Sequence, residues 1–195
     1  MKNCCCSESI LLLPGTPSFN RDDRALPLLV ESSGISGGII QDRFGKRGHQ
    51  QFKGMPTRSL PVAISSAPVG TVSYALTLLD YDAVPVAGFC WIHWLAANIS
   101  TPELPENASI ELRGQFVQGV NSWHSPLLKE QALPEEAATG YGGMVPPNAP
   151  HRYLLTVYAL DCRLTLQEGF KFNELLEGLS GHILAAGTLV GIYDN

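Results

Sequence analysis

This chain is short of charge. Asp, Glu, Lys and Arg make up 16% of its 195 residues, and the formal net charge is −5. It has no basic run, and the negative balance argues against a nucleic-acid partner. No stretch approaches the roughly 18 apolar residues of a membrane-spanning helix, so no transmembrane segment is expected. The apolar run at residues 10–13 is too short for the core of a signal peptide and stops at Pro14-Gly15. Five cysteines are present: Cys4, Cys5 and Cys6 in a row, Cys90 in an apolar segment and Cys162 after another. They form neither a disulfide framework nor paired C-x-x-C zinc motifs, and a reducing cytoplasm suits them best. The nucleophile elbow G-x-S-x-G, the P-loop, the dinucleotide-binding glycine motif and HEXXH are all missing. No catalytic residue, cofactor or metal is therefore assigned.

What is present suffices for a globular core. The hydrophobic fraction is 45%, and the length fits one domain that needs no metal or disulfide to fold. Residues 1–24 are expected to form a poorly ordered arm, and residues 25–195 a single domain. The chain is organised around residues 140–161, GYGGMVPPNAPHRYLLTVYALD. Gly140, Gly142 and Gly143 allow positive φ, and Pro146, Pro147 and Pro150 stiffen the path that follows. Residues 153–158 are aromatic, β-branched or aliphatic and read as a strand. Alternation then places His151 and Tyr153 on one face and Arg152 on the other.

Further strands are read at 26–30, 60–64, 72–79, 88–99 and 188–193, with a weaker one at 110–117. Residues 72–79 are apolar on both faces, which suits a central strand. In 88–99, Trp91 and His93 are expected on one face, Ile92 and Trp94 on the other. Residues 172–179 have the apolar spacing of a helix. Residues 124–139, with prolines bracketing LLKEQAL, read as an insertion with one or two helical turns.

Polar groups gather at the ends of these strands: Asp80 and Asp82, Trp91 and His93, His151 and Tyr153, with His182 as a possible fourth contributor. A buried imidazole without a partner costs a few kcal/mol, so His93 inside WIHWL must meet a hydrogen-bond partner or line a cavity. A shared pocket for a small anion fits this set. The imidazoles would donate, the glycine loop would offer a nest of N–H groups, and Trp91 and Tyr153 would form the walls. The aspartates would orient the histidines or receive an amine beside a phosphate. If an imidazolium holds the anion, affinity falls as pH rises through about 6.5. A zinc or iron site of His93, His151 and Asp82 is the lesser alternative.

These residues resemble a known family. SYALTLLDYDAVP (73–85), WIHWLAANI (91–99), the 140–161 segment and GHILAAGTLVGIY (181–193) are similar to motifs of the phosphatidylethanolamine-binding proteins, also called Raf kinase inhibitor proteins, in their bacterial and archaeal branch. The resemblance implies a mainly β sandwich, with a central antiparallel sheet, a smaller second sheet and few short helices. It also implies a pocket for phosphate or phospho-headgroup ligands that uses Asp80, Asp82, Pro85, Trp91, His93, Gly142, Gly143, Pro146, Pro147, His151 and Tyr153. Homodimers are common in that branch. The chain departs from the motifs at Val84, which precedes Pro85, at Met144, which replaces the first loop proline, and in the length of 124–139. The leading expectation is a non-enzymatic binding protein. The alternatives are a kinase-inhibitor-like regulator with a protein partner and a weak phosphoester hydrolase.

Overall fold

The computed structural model describes residues 28–194. The expected arm at 1–24 and the Cys4–Cys6 triplet lie outside these residues, as does the start of the expected 26–30 strand. In chain order the strands are β1 (Leu29–Glu31), β2 (Ile35–Ser36), β3 (Ile39–Ile40), β4 (Gln51–Phe52), β5 (Met55–Pro56) and β6 (Val62–Ser65), followed by β7 (Ser73–Asp80), β8 (Trp91–Ile99), β9 (Glu103–Leu104), β10 (Val117–Gln118), β11 (His151–Leu160) and β12 (Ile183–Tyr193). Four α-helical segments accompany them: α1 (Val84–Ala87), α2 (Ala108–Glu111), α3 (Glu135–Ala138) and α4 (Phe172–Leu179). The large sheet runs β10-β8-β7-β11-β12-β3-β2, and a smaller one runs β1-β6-β9. This is the mainly β architecture expected from the sequence.

The pattern of β7 explains its place. Apolar or small side chains at nearly every position let it bury both faces, and all eight residues are buried between β8 and β11. Its inner face, with Leu76 and Leu78, joins Trp94, Leu155 and Val157 in a core shared with Val30, Val62 and Ile64 of the smaller sheet. Its outer face, with Ala75, meets a second core of Leu95, Leu160, Leu175, Leu179 and Ile183. Helix α4 closes that outer side. Its Leu175 and Leu179 point inward, and Glu174 accepts the Lys171 N–H at 2.6 Å to finish the first turn.

Three elements differ from the sequence reading. Residues 110–117 are not a strand: α2 ends in a turn at Gly114 (φ +88°), and only Val117–Gln118 pairs with β8. Ile110 is exposed, and the alternating apolar pattern there belongs to a helical turn and its exit. The expected 188–193 strand is longer, starting at Ile183. Its small residues serve a close approach, since a Cβ on Gly187 would lie 2.0 Å from the Leu28 carbonyl oxygen. The 88–99 strand begins only at Trp91, because Gly88 (φ +82°) ends α1.

The register of β8 also slips at His93. Leu78 faces Trp94, yet Leu79 faces Ile92. Ile92 consequently packs with the outer core while Trp94 packs with the inner one, so these two do not share a face. The slip is a β-bulge, a device that re-aims side chains at the rim of a sheet.

Candidate functional site

The C-terminal end of β7, the start of β8 and the start of β11 meet at one rim of the large sheet. Tyr153 pairs with Asp80, and Asp80 with Trp91. A cavity of about 500 Å³ opens there. Asp80, Trp91, His93, His151 and Tyr153 line it from the strands, and Gly143 and Pro147 from the loop before β11. Ala83, Val86, Ala87 and Phe89 add an apolar wall around α1, and Trp123, Leu127, Leu128 and Gln131 supply the opposite one. Residues 124–139 thus contribute to the cavity, chiefly through the 3-10 segment Pro126–Gln131.

Hydrogen bonds fix the polar groups in place. His151 Nδ1 donates to Asp80 Oδ2 at 2.7 Å, and its Nε2 lies 3.0 Å from Asn148 Oδ1. Asp80 also accepts the Ala83 N–H at 3.0 Å, which ties the carboxylate to the turn entering α1. His93 Nδ1 faces the Gly142 carbonyl oxygen at 2.6 Å. A carbonyl only accepts, so the Nδ1 atom carries the hydrogen, and in the neutral ring Nε2 presents a lone pair. Burial holds the His93 pKa below its ordinary value, against the upward pull of the Gly142 carbonyl, and favours that neutral ring. The His93 ring meets Tyr153 edge-on with centroids 5.1 Å apart. Burial, with Asp80 nearby, pushes the Tyr153 pKa far up, so its hydroxyl stays a donor.

Among the described residues, three buried side-chain polar atoms have no protein partner: His93 Nε2, Tyr153 Oη and Trp123 Nε1. All three belong to residues that line this cavity. Buried polar groups in folded proteins are nearly always paired, and each unpaired one costs about 1–3 kcal/mol. Their residues gather around one cavity, which makes it the candidate site. Two are donors and one, on the neutral ring, is an acceptor. Among the described residues, no Lys or Arg lines the cavity.

The remaining expected site residues take other roles. Asp82 turns away from the cavity. Its carboxylate accepts from the Arg152 N–H (2.9 Å) and guanidinium (2.7 Å), which hold its pKa at about 2. Asp82 therefore does not join His93 and His151 in a metal triad. Pro85 is the second residue of α1 and is exposed to solvent. Pro146 is buried, and its carbonyl accepts from Lys46. The Gly142 N–H donates to the His93 carbonyl and the Gly143 N–H to Pro56, each at 2.8 Å, so neither is left for an anion nest. These two glycines serve close packing rather than positive φ, which only Gly140 adopts in this trio. A Cβ on Gly143 would stand 2.2 Å from the Phe44 carbonyl oxygen. Met144 is fully buried in the inner core and does not line the cavity. His182 lies at the far end of β11, bonded to Asp161.

Sequence reasoning did not single out Trp123 or Asn148 as site residues. Trp123 gave a weak signal, as an aromatic at the head of the Pro-bracketed insertion. Asn148 gave none beyond its place three residues before His151.

Comparison with known proteins agrees with this architecture. The family model described as phosphatidylethanolamine-binding protein matches residues 31–194. YxkA, an uncharacterised protein of Bacillus subtilis, is 44% identical over 150 residues, which span 75% of this chain and 88% of that one. The crystal structure of CT736 from Chlamydia trachomatis, a homologue of phosphatidylethanolamine-binding protein, superposes with a TM-score of 0.69 at 30% identity, covering 87% of this chain and 98% of its own. Escherichia coli YbcL shares the fold, with a TM-score of 0.68 at 24% identity over 87% of this chain and 99% of that one. The chain belongs to the phosphatidylethanolamine-binding protein family.

Proposed function

We propose that this chain is a non-enzymatic binding protein whose cavity receives a small oxyanion, phosphate or the phosphate of a phospho headgroup. The observation that carries the reading is that His93 Nε2, Tyr153 Oη and Trp123 Nε1, buried and without protein partners, all belong to residues that line one cavity. A phosphate oxygen accepts from Tyr153 and Trp123. A protonated phosphate oxygen donates to His93. With no Lys or Arg in the lining, a dianion would be held by neutral donors beside the Asp80 carboxylate, at a high desolvation cost. The monoanion suits the site better. It enters with its proton or delivers one to His93.

A second reading, in which a protein partner docks over the site, draws on the exposed apolar residues of the same region. Leu127 is 68% exposed, Tyr81 56% and Val86 47%. Such a partner would cover Val86 and Leu127, which also line the cavity.

Calorimetric titration with phosphate and with phosphoethanolamine tests the proposal on wild type and on Tyr153→Phe, which removes one hydroxyl and keeps the ring. Saturable binding to wild type, weakened at least tenfold in the variant and with no turnover of a model phosphomonoester, is the expected result. Equal binding by both proteins, or no binding, overturns it. Turnover would favour the hydrolase alternative.

A further inference from the structure

The opposite end of β11 holds a cluster that the pocket does not use. Asp161 and Cys162 follow its last residue, and His182 precedes the first residue of β12. The pairing of these strands shifts register next to Leu160, which faces Ile183. This brings a carboxylate, a thiol and an imidazole together although His182 is 21 residues from Asp161. One ligand atom from each lies within 4.8 Å of the other two. Among the described residues this is the one group of three such side chains so placed. At about 3.3–3.4 Å per residue, ten-residue β11 sets the cluster about 30 Å from the His151 end.

We propose that Asp161, Cys162 and His182 bind a zinc ion, with the fourth position open to water. The donor set is one sulfur, one imidazole nitrogen and one carboxylate oxygen, which suits zinc and not the all-oxygen preference of magnesium or calcium. Tetrahedral zinc at its usual bond lengths holds its ligand atoms about 3.3–3.7 Å apart, so side-chain rotations of about an ångström close the site. The backbone beneath is already fixed. The Asp161 N–H donates to the His182 carbonyl and the His182 N–H to Leu179, each at 3.1 Å. Ser73 Oγ donates to the Cys162 carbonyl. His182 Nδ1 already meets Asp161 Oδ1 at 2.8 Å, so imidazole and carboxylate face each other. The side chains of His182 and Asp161 are 47% and 39% exposed, which gives the metal a way in. Glu174 and Glu177 share a surface depression with Cys162 and His182 and add negative potential, offset in part by Arg163. On binding, the Cys162 thiol forms the S–Zn bond and its proton passes to solvent. The ion then ties the end of β11 to the start of β12.

Cobalt(II) titration of the full chain, stripped with chelator, tests this. The expected result is one equivalent bound with a thiolate-to-cobalt charge-transfer band and the visible spectrum of a four-coordinate ion. The band should vanish in Cys162→Ser, and affinity should fall at least tenfold in His182→Ala and in Asp161→Asn. It should persist when Cys4, Cys5 and Cys6 are all serine, and in Tyr153→Phe. Zinc should raise the melting temperature of wild type and not of Cys162→Ser. These substitutions leave the named backbone hydrogen bonds in place, and far-UV circular dichroism confirms folding. A missing band, a band that survives Cys162→Ser, or one lost with the Cys4–Cys6 triplet overturns the proposal.

Discussion

His151 Nδ1 lies 2.7 Å from Asp80 Oδ2, with the two side chains only 3% and 5% exposed. The contact joins the first residue of β11 to the last residue of β7, strands paired antiparallel along their length. Asp80 thereby sets the ring of His151 at the cavity and is itself anchored by the Ala83 N–H. Removing one member of a buried pair strands the other in a dry site, which costs about 3–5 kcal/mol. Asp80→Ala should lose stability of that order in urea denaturation and lose phosphate binding.

His93 carries a pH signature. Burial lowers its pKa in the folded state, so below about 6.5 the unfolded chain takes up a proton that the folded chain resists. Its contribution to stability is complete above that pH and is lost as pH falls. Denaturation midpoints of wild type, measured from pH 8 to pH 5, should drop more steeply than those of His93→Gln. Equal slopes would contradict the account. The same reasoning moves any anion affinity that depends on a His93 imidazolium to lower pH than the unperturbed value of about 6.5.

Asp82 behaves differently. Arg152 holds its carboxyl at about 2, so its contribution is complete above about 4, the ordinary carboxylate value, and fades only as pH falls through 2. The pair is open to water, with the Arg152 side chain 71% exposed, and exposed ion pairs contribute little. Asp82→Asn should leave the denaturation midpoint at pH 7 nearly unchanged and phosphate affinity within about twofold, since Asp82 does not line the cavity.

Gly143 is constrained from both sides. A Cβ there would meet the Phe44 carbonyl oxygen at 2.2 Å and Pro56 at 2.7 Å. Backbone must move to admit it, and overpacking of this kind costs about 1–3 kcal/mol. Gly143→Ala should lower the melting temperature and weaken ligand binding together, because the same loop carries Pro147 and leads to His151.

Periodicity made much of the frame legible. The double-sided apolar pattern of β7, the spacing of α4 and the shared face of His151 and Tyr153 all follow from residue order alone. Hydrogen-bond partners do not. Nothing in GYGG tells that Gly142 and Gly143 give their N–H groups to His93 and Pro56, which removes the expected nest. The slip at His93 is set by pairing with β7, so the faces of Ile92 and Trp94 could not be read from alternation. Asp82 was drawn into the site by its nearness to Asp80, yet Arg152, one residue past His151, claims it from the other face of β11. Asp161, Cys162 and His182 meet only because β11 and β12 pair.

The oxyanion proposal rests on the unpaired polar groups of the residues that line the cavity. Proton–nitrogen correlation spectra of labelled protein, titrated with phosphate, test it most directly. The indole N–H of Trp94 is already bonded to Gln118 Oε1 at 2.9 Å, whereas that of Trp123 has no protein partner. A saturable downfield shift of the Trp123 indole signal and movement of the His93 ring nitrogens are expected, with the Trp94 signal and the His182 ring unmoved. Unchanged Trp123 and His93 signals at saturating phosphate would contradict it.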